Sequence, residues 1–237
     1  MSLPRISVKV WMEVEMKKIG IFVLMVIVLL DYSLIGQSVR AEYNNHDYGD
    51  SWTVQCLQYS ATASPNSAAS YTRYGARGYA EQWALNFNSN YKHLSSDCTN
   101  FVSQAMHDGG EYPMQFQSPK WYMERHWWGW TWSNSWTVIG DLINFVYAEN
   151  WGYGYCVSPG YSSSAWYGDI ITYDWNGDGI WDHASMETVY NGHDPNSGVY
   201  GDLVDQHTTN RKHAIWTLQP YNPNWQTTIY GILHLYY

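Results

Sequence analysis

The string SSDCTNFVSQ, residues 95–104, sets Cys98 at the first turn of a predicted amphipathic helix. There the unpaired backbone N–H groups and the positive end of the helix dipole favour thiolate over thiol. The thiolate is the form of cysteine that attacks a carbonyl carbon. The N–H of Cys98 itself can face the oxyanion that such an attack creates. A second string, TYDWNGDGIWDHASMET at 172–188, carries His183 at the start of a predicted strand. On an extended chain His183, Ser185 and Glu187 share one face, and Ala184, Met186 and Thr188 share the other. The polar face suits a cleft and the Ala/Met face suits the core. Ahead of the histidine, Asp174, Asn176, Asp178 and Asp182 stand at loop positions 1, 3, 5 and 9 with Gly179 at position 6, the order of an EF-hand-type calcium loop. Position 12 is Ser185 instead of a bidentate Glu, and the flanks read as strands. The loop is therefore read as either a weak structural Ca²⁺ site or a metal-free Asx/Gly hairpin. No cofactor is required for the thiol chemistry.

The elements that must position these groups change texture along the chain. Residues 71–86, rich in Ala and Tyr without proline, predict a helix. The helix carrying Cys98 runs over 98–107, with Phe101, Val102, Ala105 and Met106 on one face, Asp97 or Ser96 as its cap and Gly109-Gly110 as its stop. A further amphipathic helix is predicted over 138–149. From Gly168 onward, short alternating runs between turn residues predict strands over 169–173, 183–190, 203–207, 214–218 and 230–235. Helices first and an antiparallel sheet later is the α+β pattern.

Four strings occur in order: YTRYGARGYAEQWALNFNSNY, DCTNFVSQAMHDGG, GDIITYDWNGDGIWDHASMET and VDQHTTNRK. The series resembles the putative amidase domain family of secreted bacterial proteins. That family looks like a branch of the papain-like cysteine amidases and peptidases, beside the NlpC-type and CHAP-type cell-wall hydrolases. The resemblance covers residues 71–237. It implies a papain-like core in which a cysteine at a helix N-terminus packs on an antiparallel β-sheet. It also implies a histidine base on the second strand of that sheet and a polar residue on the next strand that orients it. Carried onto this chain, those positions are Cys98, His183 and His207. For the third residue His207, Gln206, Asn210 and Asp205 are all of a type that can fix an imidazole's tautomer. The chain departs from papain at the position six before the cysteine, where Lys92 stands in place of an amide oxyanion donor.

The rest of the sequence sets the context. Lys17 and Lys18, an apolar run over 19–30 and the end Val39-Arg40-Ala41 predict a signal peptide over 1–41, with no stable membrane insertion after cleavage. Residues 42–70 read as a polar segment and linker. The whole chain carries a net charge of −9. Without residues 1–41 it keeps 7 basic and 18 acidic residues, net −11. Such a surface repels phosphate backbones, which argues against nucleic acid as a partner; a peptide or peptidoglycan substrate outside the cell is what the resemblance implies. Of three cysteines, Cys56 and Cys156 can form a bridge that leaves Cys98 free, or all three can stay reduced. Six tryptophans fall within residues 121–136, as a wall for sugars and peptides or as an aromatic mini-core. The reading is a secreted cysteine amidohydrolase. Its rivals are an inactive wall- or glycan-binding module on the same fold and a transglutaminase-like acyl transferase.

Overall fold

A computed structural model describes residues 70–236; the predicted signal peptide, the 42–70 segment apart from its last residue, and Cys56 lie outside the described residues. The molecule is α+β, as the order of patterns implies. Helix α1 spans Arg73–Trp83 and α2 spans Cys98–Gln104, continued by a π-helical turn over Ala105–Gly109. A two-stranded hairpin, β1 (Met123–His126) and β2 (Gly129–Trp132), precedes α3 (Asn134–Thr137) and α4 (Ile139–Ala148). Six strands follow: β3 Gly152–Val157, β4 Ile170–Asp174, β5 His183–His193, β6 Tyr200–Gln206, β7 Arg211–Ile215 and β8 Ile229–Leu235. They form one sheet in the order β3-β8-β4-β5-β6-β7, and every neighbouring pair is antiparallel. The hairpin, α3 and β3 are elements that the periodicity does not announce, and β7 lies three residues ahead of the strand expected over 214–218. β3 reads GYGYCV, in which glycine hides the alternation.

The sheet separates two cores. On one face Ile170, Ala184, Met186, Leu233 and Leu235 pack with Phe101, Val102 and Met106 of the helix that bears Cys98, and with Trp121, Trp136 and Trp151. On the other, Ile171, Tyr173, Ile232, Tyr230 and Trp216 form a second cluster under the loop residues Ala165 and Leu218. The polar face of β5 is therefore not an open cleft: Ser185 and Glu187 are buried, and only His183 at the strand's start borders solvent-accessible space. Helices α1 and α2 meet where glycine permits it. A Cβ on Gly75 would stand 2.1 Å from the carbonyl oxygen of Gly109, and one on Gly109 would stand 2.5 Å from that of Gly75. Any side chain at either position would push the π-helical turn off α1.

The Trp-rich stretch divides in two. Trp121 and Trp136 are core residues, whereas Trp127 and Trp128 at the hairpin tip are 92% and 63% exposed.

Candidate active site

The polar letters of DCTNFVSQ are what fix the helix that presents Cys98, since each reaches outward from its buried start. Asn100 Nδ2 donates to the Lys92 carbonyl at 2.9 Å, and Trp136 Nε1 donates to Asn100 Oδ1 at 2.8 Å. Trp121 Nε1 donates to Ser103 Oγ, and the Tyr79 hydroxyl donates to Gln104 Oε1. Asp97 is the N-cap residue but does not cap with its own carboxylate. One oxygen accepts from Leu94 N–H and Asn100 Nδ2, and the other lies 2.6 Å from His207 Nδ1. Its backbone N–H donates to Thr208 Oγ1 at 2.7 Å. The first turn of α2 is thus bolted to the turn that joins β6 and β7.

Cys98 is a free, buried thiol. Its sulfur lies 3.8 Å from Thr99 Oγ1, and it shares a cleft with His183. Burial alone raises the thiol pKa, but the His183 hydrogen bond and charge, the Ala184 N–H and the Thr99 hydroxyl outweigh it and bring the thiol down to about 7. Cys156 is engaged in a disulfide. Its expected partner, Cys56, is outside the described residues.

His183 is 5% exposed and stacks on Trp175, with ring centroids 5.5 Å apart. Its Nε2 lies 3.0 Å from Gln206 Oε1. The amide orientation follows from its other end: Gln206 Nε2 donates to the Thr209 carbonyl at 3.1 Å, which turns Oε1 toward the imidazole. The imidazole therefore carries its hydrogen on Nε2 and donates it to Gln206, which leaves Nδ1 as the acceptor for the thiol proton.

The structure does not bring His207 to His183. Its Nε2 donates to the Trp83 carbonyl at 2.9 Å and its Nδ1 is held by Asp97, while Phe101 stacks on the ring at 4.2 Å. Register gives the reason. Met186 pairs with Asp205 and Glu187 with Val204. Carried on by two residues, that register sets Gln206 opposite Ser185, on the face of His183, and His207 opposite Ala184, on the face of the helices. A shift of one residue along a strand changes the face, so the side chain that reaches His183 is that of Gln206 and not that of His207. Asp205 is engaged elsewhere, accepting the backbone N–H of His213 at 2.6 Å. The turn itself is strained: Thr208 and Thr209 both adopt left-handed φ angles, 58° and 67°. β-branched residues avoid that region, and two in succession mark a turn held by its surroundings.

The cleft over Cys98 and His183 has a volume of about 380 Å³. Trp175, Gln206, Arg211 and Tyr221 contribute to its walls. None of the six tryptophans of 121–136 lines it, nor does Lys92. The tryptophan in the wall is Trp175, inside the string read above for its oxygens.

Those oxygens are engaged within the loop. Asp174 Oδ1 accepts from the N–H groups of Gly177 and Asp178, and its Oδ2 from Gly179. Asn176 Nδ2 donates to Asp178 Oδ2, Asp178 Oδ1 accepts from Ile180 N–H, and Asp182 Oδ2 accepts from Trp175 N–H. Among the described residues no group of three or more His, Cys, Asp or Glu side chains is arranged to hold a metal ion. These hydrogen bonds hold the loop as an Asx/Gly hairpin.

A thiol, an imidazole and an amide meet in one walled cleft, and comparison with known proteins points to amide chemistry. Residues 70–230 match the family model described as a putative amidase domain, well over half of the chain, and the chain belongs to that family. It is similar to the uncharacterized protein YhbB of Bacillus subtilis (strain 168), at 29% identity over 172 residues that cover 71% of this chain and 51% of that one. It is also similar to the uncharacterized protein YjcM of the same organism, at 32% identity over 158 residues, 63% of this chain and 34% of that one. The chain spans about half the length of the first relative and a third of the second. No solved structure matches it. Among the described residues no helix is long and apolar enough to cross a membrane.

Proposed function

We propose that the protein is a papain-like cysteine amidohydrolase in which Cys98 is the nucleophile, His183 the general base and acid, and Gln206 the residue that orients the base. The observation that carries this reading is that the Cys98 thiol and His183 line one cleft, where the imidazole helps bring the thiol to about 7. Nδ1 of His183 takes the thiol proton, and the sulfur forms a bond to the amide carbon. Negative charge moves to the carbonyl oxygen, for which the Cys98 N–H at the helix start is the donor we assign. The adduct collapses by breaking the C–N bond, and His183 returns the proton to the departing amine. A water deprotonated by His183 then attacks the thioester and releases the acid, restoring the free thiol. Gln206 keeps the imidazole in the tautomer that leaves Nδ1 free throughout.

The substrate class we assign is the amide bond of peptides, the stem peptides of peptidoglycan among them. The family's amide chemistry supports the bond type. The N-terminal apolar run and the acidic, aromatic composition support a site of action outside the cell. The test is digestion of purified peptidoglycan and of the peptides released from it, followed by mass spectrometry. Wild type is expected to generate new amine and carboxyl ends, and Cys98→Ala none. Full activity in Cys98→Ala would overturn the assignment.

A further inference from the structure

The cleft holds a cation that the steps above do not use. Arg211 opens β7, and its guanidinium lies over the Tyr221 ring at 4.2 Å from the centroid. Nη1 donates to the Thr209 carbonyl at 3.2 Å. These contacts fix the stem and one corner of the fork, and the group lines the cleft together with Cys98 and His183. Two other arginines of the described residues are paired with acids, Arg73 with Asp169 at 2.6 Å and Arg77 with Glu81 at 3.0 Å, while Arg125 lies over the Trp130 ring, on the hairpin and outside the cleft. Arg211 has no carboxylate within ion-pair distance among the described residues. The acid that shares the cleft, Asp182, spends an oxygen on the Trp175 N–H.

We propose that Arg211 selects the substrate, by binding a free carboxylate carried on the peptide close to the scissile amide. This rests on the cysteine amidohydrolase reading. A guanidinium is planar and presents parallel donors that match a carboxylate in bidentate fashion. Holding it against an aromatic ring restricts its rotamers before the ligand arrives, which lowers the entropy lost on binding. The surrounding charge gives the residue a purpose. A chain of net −9 repels acidic peptides, and a local cation in the cleft offsets that repulsion where it matters.

Placement of this cation relative to the chemistry is set by a shared atom. The Thr209 carbonyl accepts both from Arg211 Nη1 and from Gln206 Nε2, and Gln206 accepts from His183. The carboxylate anchor and the base are thereby indexed to one turn, whose left-handed threonines aim that carbonyl. A substrate caught by its carboxylate is presented to the thiol at a distance the turn determines.

The experiment needs no knowledge of the natural substrate. Alkylation of Cys98 by N-iodoacetyl-glutamic acid is timed against alkylation by the corresponding diamide, on the full chain, with modification at Cys98 read by mass spectrometry. Wild type is expected to favour the acid over the diamide, with the ratio falling as salt is raised. Arg211→Gln is expected to lower the ratio on the order of tenfold, and Arg211→Lys, which keeps the charge without the fork, to retain part of it. A ratio that is salt-independent in wild type or unchanged in Arg211→Gln overturns the proposal. His183→Ala, run with the diamide, separates the two layers. A diamide rate that depends on His183, with no acid preference, removes only the role of Arg211. A diamide rate indifferent to His183 removes the cysteine reading and this inference with it.

Discussion

The neighbouring strands β5 and β6 bring one buried imidazole to each face of the sheet, and the two are committed differently. His183 engages one nitrogen with Gln206, and its ring lines the cleft together with the Cys98 thiol. His207 engages both, with Asp97 and with the Trp83 carbonyl, and is sandwiched by Phe101 and Phe87. A histidine with a nitrogen left over in a cleft can move a proton; one with both nitrogens spent holds two segments together. The second makes the first effective, because His207 and Thr208 pin Asp97, the residue before Cys98.

Substitutions at adjacent positions put this division at risk. His207→Ala strips a buried carboxylate of its partner, and breaking such a pair costs about 3–5 kcal/mol. A fall of about 10 °C in melting temperature is expected for a domain of this size. Gln206→Ala is expected to leave the melting temperature nearly unchanged and to lower kcat on the order of tenfold or more, through loss of the imidazole's tautomer and tilt. Calorimetry and single-turnover rates on the two variants check the pair. The division fails if Gln206→Ala unfolds the protein while His207→Ala merely slows it.

A smaller effect concerns the acids behind β6. Burial raises the Asp205 pKa from 3.8 to about 7 against the His213 N–H that lowers it, and burial likewise holds Glu187 well above the ordinary carboxylate range. Each has a buried oxygen without a hydrogen-bond partner, Asp205 Oδ2 and Glu187 Oε1. A carboxyl whose folded pKa is raised contributes stability that is fully present below its unfolded pKa and is lost as pH rises through the folded value. Stability is therefore expected to decline as pH rises toward and past 7. Asp205→Asn should flatten that decline by at most a few kcal/mol. Denaturant melts at pH 5 and pH 8 measure it, and a slope unaltered by the substitution would contradict the assignment.

The smallest expected effect is at the hairpin of Asp174 and Asp178. Its carboxylates are already used by backbone N–H groups, so millimolar calcium and chelator should give melting temperatures within about 1 °C of one another. A rise of several degrees with calcium would restore the cation site.

What could be read in the sequence follows from what each signal encodes. The order of helices and strands is legible because period and turn residues are local properties, and Cys98 at a helix start is local too. The partner of His183 is not. Gln206 and His207 are adjacent in LVDQH, and only the β5–β6 register, a non-local property, decides which shares a face with the base. The spacing of Asp174, Asn176, Asp178 and Asp182 encodes a turn as well as it encodes a ligand set, and spacing does not say which way the oxygens point. Exposure of tryptophan is equally unwritten: Trp121 is core and Trp127 is exposed within one aromatic run.

The central claim is that His183 sets the reactivity of Cys98. Its most direct test is the rate of Cys98 alkylation by iodoacetamide from pH 5 to 10, in wild type and in His183→Ala. Wild type is expected to show thiolate reactivity rising through about 7, and His183→Ala to move that midpoint up toward or beyond the ordinary thiol range, since burial then acts unopposed by the imidazole. A midpoint that stays near 7 without the imidazole would contradict the account.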